Sequence, residues 1–313
     1  MLDEFNESLI KKTAKFLGIP ADVVRKDYYV TQAIHALTQI ENECFSLLFH
    51  GGTSLSKGYK IISRLSEDVD FRVVLKPEAV TLGKEVRRKR LRDFRRSLVN
   101  ALVKAGFSVD QEKITVFYEG RFMRIHAVFD GASTLFYLKP HIVVECFVGE
   151  VMLAPTMTLV TSLIKETLGH ECSHDIFPVS CIAIDETAAE KWVALTRRIS
   201  NTQYKKRFSD KNLVRHIYDL YQLRRKDCLT GQYQKLVQVI INKEVAMFKK
   251  NNDAYAENPW GATRKALDLL YSEPQWQQHW VLFCEQMVYG ENKPSFLQAA
   301  DELRLMSKTI LEG

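Results

Sequence analysis

Apolar positions in the first forty residues recur at helical spacing. Leu9, Ile10, Phe16 and Leu17 form one stripe, and Val23, Val24, Tyr28 and Ile34 a second. Gly18-Ile19-Pro20 breaks the run into two helices. The pattern then shortens: Phe45 to Phe49 is a compact apolar run stopped by Gly51-Gly52, which reads as a buried strand feeding a turn. Thr53 to Ile62 reads as a helix and Val69 to Leu75 as an alternating strand. A long helix over Gly83–Ala105 is followed by strand-like stretches at Ile114–Tyr118, Met123–Phe129 and His141–Val148. This order predicts an α+β domain built on a mixed sheet.

After Pro155 helical patterns dominate: Thr158–Leu168, Glu186–Ile199, Asn212–Arg224, Gln232–Phe248, Arg264–Leu270, Gln275–Val288 and Phe296–Leu311. The predicted division is therefore a sheet domain with N-terminal helices over residues 1–155 and a mostly helical domain over residues 156–313. No internal repeat and no low-complexity segment interrupts them.

The 313 residues are 46% hydrophobic and 26% charged, an ordinary soluble composition. No apolar run approaches the roughly 18 residues that a membrane span requires. The first residues carry neither a basic stretch nor an apolar segment of the kind that directs secretion. Six cysteines, at 44, 146, 172, 181, 228 and 284, form no C-x-x-C pair and read as reduced thiols of a cytoplasmic protein. The net charge of +6 tolerates a polyanionic partner. Much of that charge is local. Eight basic residues (Lys84, Arg87, Arg88, Lys89, Arg90, Arg92, Arg95, Arg96) stand against Glu85 and Asp93, while Leu91, Phe94, Leu98 and Leu102 form the apolar stripe. The outward face suits RNA phosphates, and Lys205-Lys206-Arg207 extends it in the same sense.

The stretch richest in chemistry comes in two pieces. In Phe49-His50-Gly51-Gly52-Thr53-Ser54, a glycine pair between strand and helix permits close backbone approach to a ligand, and the helix start offers N–H groups and hydroxyls to an anion. The Walker pattern is absent. In Ser66-Glu67-Asp68-Val69-Asp70-Phe71, Asp68 and Asp70 project to one strand face while Val69 and Phe71 turn inward. Paired like charges on one face call for a cation between them, and Mg²⁺ takes carboxylates together with substrate phosphates.

Together, Gly-Gly-Thr-Ser-Leu and Ser-Glu-Asp-Val-Asp-Phe resemble the nucleotidyltransferase signature of the polymerase-β superfamily. More narrowly they resemble the AbiEii/MenT toxins of type IV toxin–antitoxin and abortive-infection systems. Lys26-Asp27-Tyr28-Tyr29-Val30, Glu190-Lys191-Trp192-Val193-Ala194-Leu195 with Arg197-Arg198, and Tyr218-Asp219-Leu220-Tyr221 continue the match over roughly residues 20–225. His50 stands where the family more often has lysine. The resemblance implies a polymerase-β-like sheet followed by a helical domain that completes the active site. It implies NMP transfer from an NTP, with two Mg²⁺ ions, to an acceptor such as a tRNA 3′ end, and a cognate antitoxin as partner. Gly51, Gly52, Thr53, Ser54 and Ser66 match the triphosphate-binding set, and Asp68 and Asp70 the metal pair. Lys191 matches a phosphate-contacting lysine, and Asp219 the final acidic motif. Arg198, seven residues beyond Lys191 on one helix face, joins the phosphate set.

Glu145, the lone acid in the apolar run His141–Val148, is the candidate third metal ligand, with Glu150 in reserve. His170-Glu171-Cys172-Ser173-His174 satisfies the H-E-x-x-H pattern, but Gly169 before it and Pro178 after it predict a loop rather than a zincin helix. A structural zinc on His170, Cys172, His174 and Cys181 is the lesser alternative. Two rivals to RNA modification remain: nucleotidyl transfer to a protein or small molecule, and a catalytically silent RNA- or protein-binding module.

Overall fold

The structure is a computed structural model that describes residues 4–131, 133, 135–169, 176–204, 210–248, 253–290 and 293–312. The H-E-x-x-H segment, residues 170–174, and Lys205-Lys206-Arg207 lie outside the described residues. The chain separates into two compact units. The first comprises Met1–Lys60 and Leu65–Ile182; the second comprises Ile61–Arg64 and Ala183–Gly313.

The first unit opens with α1 (Glu4–Leu17) and α2 (Ala21–Thr38), separated at Gly18-Ile19-Pro20 as the pattern predicts. Then come β1 (Phe45–His50), the single turn α3 (Gly51–Thr53), β2 (Asp68–Leu75), α4 (Pro77–Val80) and the basic helix α5 (Lys84–Lys104). They are followed by β3 (Ser108–Val109), β4 (Thr115–Phe117), β5 (Phe122–Val128), β6 (His141–Val148), β7 (Thr156–Val160), α6 (Leu163–Leu168) and β8 (Phe177–Cys181). The strands form one mixed sheet in the order β3-β5-β6-β2-β1-β8-β7, with β4 paired to β5. The central pair β2–β6 is parallel, while β1–β2 and β5–β6 are antiparallel. The α+β expectation holds.

Alternation along the strands divides the sheet into two faces. Val69, Phe71 and Val73 of β2, Ile142, Val144 and Cys146 of β6, and Ile125 and Ala127 of β5 are buried with Ile34 and Leu37 of α2 and Phe94, Leu98 and Leu102 of α5. Two amphipathic helices thus cover one face. The residues between the buried ones populate the other face over β2, β6 and β5.

Two expected helices are different. Thr53–Ile62 is not a continuous helix: after α3 the chain makes one wider turn over Ser54–Gly58, and Lys60 then takes a positive φ of 55° that ends any helix. Thr158–Leu168 divides into strand β7 and the short α6, with Ser162 capping the helix by accepting from the Lys165 N–H. Because β7 and β8 join the sheet, the first unit runs past residue 155 to Ile182.

The second unit is helical: α7 (Ile184–Tyr204), α8 (Val214–Arg225), α9 (Gln232–Phe248), α10 (Asp253–Glu257), α11 (Pro259–Ser272), α12 (Gln275–Met287) and α13 (Phe296–Glu312). Trp192 is fully buried and donates its indole N–H to Ser307 at 3.1 Å, tying α7 to α13. No helix among the described residues is long and apolar enough to cross a membrane.

Candidate active site

Register places the signature residues of the first unit in rows. On β2, Asp68, Asp70 and Arg72 alternate with the buried Val69, Phe71 and Val73. Asp70 stands opposite His50 on β1 and opposite Glu145 on β6, and Glu145 stands opposite Arg124 on β5. Asp68, Asp70 and Glu145 therefore share one face, with Asp70 and Glu145 as direct cross-strand neighbours. Glu145 is not a lone buried acid: it faces outward, and the Arg124 Nε donates to its Oε1 at 2.7 Å. Its apolar sequence neighbours Val144 and Cys146 point into the helix-covered core. The Cys146 thiol, pushed up to about 12 by burial and then by the charges of Asp70 and Glu145, is no nucleophile.

Gly51 has φ +81°, and a Cβ built there would collide with the Asp70 carboxylate oxygen. Only glycine fits a left-handed backbone pressed against a carboxylate. The hydroxyls beside it serve the turn itself. Thr53 donates to the Asp68 carbonyl and shares a hydrogen bond with the Ser66 hydroxyl at 2.8 Å, and Ser54 donates to the Gly51 carbonyl at 3.0 Å. Thr53 and Ser54 are fully buried. Their side chains lock the glycine turn to the start of β2, which leaves backbone N–H groups as what this turn has to offer an anion.

The motif Lys26-Asp27 proves to be a double anchor on α2. The buried Lys26 ammonium donates to the Lys139 and His141 carbonyls at 2.7 and 2.6 Å and lies 3.4 Å from Glu67. Burial lowers its pKa, and the neighbouring Glu67 charge opposes that shift. Asp27 accepts from Lys57 at 2.5 Å and from the Leu163 N–H at 2.7 Å. One dipeptide thus holds both pieces of the signature: Glu67 beside Asp68, and Lys57 at the end of the glycine turn. Glu67 also accepts from the Lys139 N–H at 3.0 Å, which aims the Lys139 side chain at Asp68, its Nζ 2.6 Å from Oδ1. Lys139, Arg124 and Lys57 carry no motif of their own, and neither their local sequence nor the place of Glu67 within the signature shows where these side chains point.

Among the described residues no three His, Cys, Asp or Glu are gathered as a ready metal cage. The donor set still suits a hard cation. Asp68 and Asp70 are carboxylates on one strand face, Glu145 is in register beside them, and ammonium and guanidinium groups already balance the negative charge there. Glu150 is exposed, and its backbone carbonyl accepts from Arg72 at 2.9 Å.

In the second unit, α7 and α8 bring together the other pair of expected residues. Asp219 is fully buried and receives Lys191 Nζ at 2.8 Å and two nitrogens of Arg64 at 2.7 and 2.8 Å. Burial alone would raise this carboxyl. The charges of Arg64 and then Lys191 override it and hold Asp219 well below the usual carboxylate range. Arg198 is half exposed, 3.9 Å from Asp210. His216, three residues before Asp219, is kept neutral by burial and then by the positive charges of Lys191 and Arg198.

Asp68 and Asp70 on one strand, entered from a glycine turn and flanked by Glu145, thus form one outward row. The family model "Nucleotidyl transferase AbiEii toxin, Type IV TA system" matches residues 36–302, and the chain belongs to that family of nucleotidyltransferases. Among solved structures, the nucleotidyltransferase toxin MenT4 of Mycobacterium tuberculosis H37Rv is similar, at 17% identity over 71% of this chain and 72% of that one, with a TM-score of 0.38. No curated protein matches.

Proposed function

We propose that the chain transfers an NMP from an NTP to the 3′ end of an RNA, most simply a tRNA, in a Mg²⁺-dependent reaction that releases pyrophosphate. As a cytoplasmic toxin it would be held in check by a cognate antitoxin. The observation that carries this reading is the shared open face of Asp68, Asp70 and Glu145, with the Gly51 backbone pressed against Asp70. Asp68 and Asp70, joined by Glu145, would hold the divalent cations, which when bound supply activation of the attacking hydroxyl and charge compensation for the leaving pyrophosphate. The glycine turn offers N–H groups to the triphosphate, kept in place by the Thr53, Ser66 and Asp68 bonds. Lys139 orients the Asp68 carboxylate before substrate arrives. Lys191 and Arg198 have the phosphate-neutralising role, and Asp219 positions Lys191 through a charge-assisted bond.

The test is incubation with each α-labelled NTP, Mg²⁺ and a whole-cell extract, followed by separation of RNA, protein and small molecules. Label should enter RNA of tRNA size, and should be lost with a chelator and in Asp70→Ala. Label in protein or in a small molecule instead would overturn the acceptor assignment, and no incorporation at all would favour a binding module.

A further inference from the structure

A second row of side chains lies one step along the strands from the catalytic row, on the same face. Register sets Arg72 of β2 opposite Phe147 of β6, Phe147 opposite Phe122 of β5, and Phe122 opposite Phe117 of β4. Each lies two residues from a member of the catalytic row: Arg72 from Asp70, Phe147 from Glu145, Phe122 from Arg124. The alternation that aims the carboxylates outward therefore aims these rings outward too. Phe117 is half exposed and stacks on Phe122 with the planes 19° apart and the centroids 6.1 Å apart. Guanidinium groups stand against the rings: Arg72 and Arg121 at 6.0 and 5.6 Å from the Phe147 centroid, and Arg124 at 5.6 Å from Phe122.

Rings and guanidinium groups alternating on an open sheet do not resemble a surface for another protein's aliphatic side chains. The rings give π-faces to bases, and the arginines give charge to the phosphates between them. Bases inside a duplex already stack on one another and cannot reach such a platform, whereas unpaired bases can. On the RNA-acceptor reading above, we infer that Phe117, Phe122 and Phe147, with Arg72 and Arg121, form a platform for the unpaired nucleotides that lead into the reacting 3′ end. The strand then arrives beside Glu145 and Asp70 with its last bases already fixed. Selection of a single-stranded end follows from the stacking, and any base is accepted.

The experiment uses the full chain and a fluorescein-labelled single-stranded RNA of about eight nucleotides, a length within the usual site size. Binding is read by anisotropy without NTP, and NTP affinity is read separately. Phe122→Leu and Phe147→Leu keep an apolar side chain on the strand but remove the ring. Each should weaken single-strand binding by about tenfold and leave NTP affinity unchanged, and a duplex of the same length should compete poorly. Single-strand affinity within twofold of wild type in both variants overturns the platform, as does a loss that falls on the NTP instead. In case a variant fails to fold, a 4-thiouridine oligonucleotide crosslinked to the wild-type chain gives an independent reading. Adducts on Phe117, Phe122 or Phe147 support the platform, and adducts confined to other segments remove it. Labelling of RNA by the wild type reads the acceptor assignment on its own. RNA labelled normally while the platform variants bind and react as wild type removes the platform alone, whereas label in protein removes both.

Discussion

Arg64 and Asp219 form a buried two-bonded ion pair, and Lys191 closes on the same carboxylate from α7. A surface pair of this kind contributes under about 1 kcal/mol, but this carboxylate has no exposure to water. Removing it leaves two cations buried face to face. Asp219→Ala should therefore cost about 3–5 kcal/mol of unfolding free energy, measured by urea titration. A loss under about 1 kcal/mol would show that water relieves the two cations.

The same cluster sets an acid limit. The native Asp219 carboxyl titrates below its ordinary 3.8, so its contribution is complete above that value and is lost as pH falls through the lower native value. His216 titrates below its ordinary 6.5, so the unfolded chain takes up its proton first and stability declines from about that pH downward. Urea midpoints from pH 8 to pH 2 should show the upper phase in full and the onset of the lower one. His216→Leu should shrink the upper phase to the share of His141 and His279, which burial also lowers, and leave the lower one; an undiminished upper phase would move its origin to those two.

What could be read in advance followed from short-range periodicity. The two-residue strand repeat was enough to put Asp68 and Asp70 on one face, and the register now adds Glu145. Glu145 was found by its isolation among apolar residues, yet those residues face the other way and Arg124 partners it. Thr158–Leu168 misled because Val160, Ile164 and Leu168 fall at helical spacing by chance, across an edge strand, a Ser162 cap and a six-residue helix. Lys139 and Arg124 could not be found, since their partners lie 71 and 21 residues away and only strand pairing brings them together.

Lys139 occupies Asp68 at 2.6 Å, where a divalent cation would bind. A bound cation has to share or displace that ammonium, so the two compete. Lys139→Met should lower the Mg²⁺ concentration for half-maximal transfer by about threefold or more, a modest shift because both groups are partly exposed to solvent. Chelation should abolish transfer in both proteins. An unchanged or higher Mg²⁺ requirement would instead give Lys139 a direct part in holding substrate phosphate.

Gly51 tests the turn without changing the number of charges. Gly51→Ala places a methyl group against the Asp70 carboxylate at a φ of +81°. The left-handed backbone alone costs roughly 1–2 kcal/mol, and moving Asp70 adds to it. Turnover should fall by roughly 10²-fold or more, because a displacement of the order of 1 Å at a reacting centre has that effect. Thermal melting and kcat are measured together. A variant that melts lower but turns over normally would detach the glycine turn from the chemistry.

The basic helix α5 separates into two kinds of arginine. Arg88 and Arg92 are exposed, whereas Arg95 is half-buried and donates from Nη1 to the Gly120 carbonyl at 2.6 Å. Its pKa is lowered by burial and then by Arg92 and Arg88. It holds a turn in which Tyr118, Glu119 and Gly120 all have positive φ, and a Cβ on Gly120 would collide with the guanidinium. Arg95 is therefore a brace for the turn between β4 and β5 and not one of the outward charges expected from the helical pattern. The two kinds should part in experiment. Arg88→Glu with Arg92→Glu should leave melting unchanged, weaken RNA binding and reduce the slope of log affinity against log salt by about 1.4–1.8 if each contacts one phosphate. Arg95→Glu should lower stability by about 1–3 kcal/mol, because it removes a donor from a partly buried carbonyl and sets a carboxylate against it. Isothermal binding at four salt concentrations and a denaturant titration measure the two effects. If the Arg88, Arg92 double variant keeps the wild-type salt slope, this face of α5 is solvated surface and the RNA lies elsewhere.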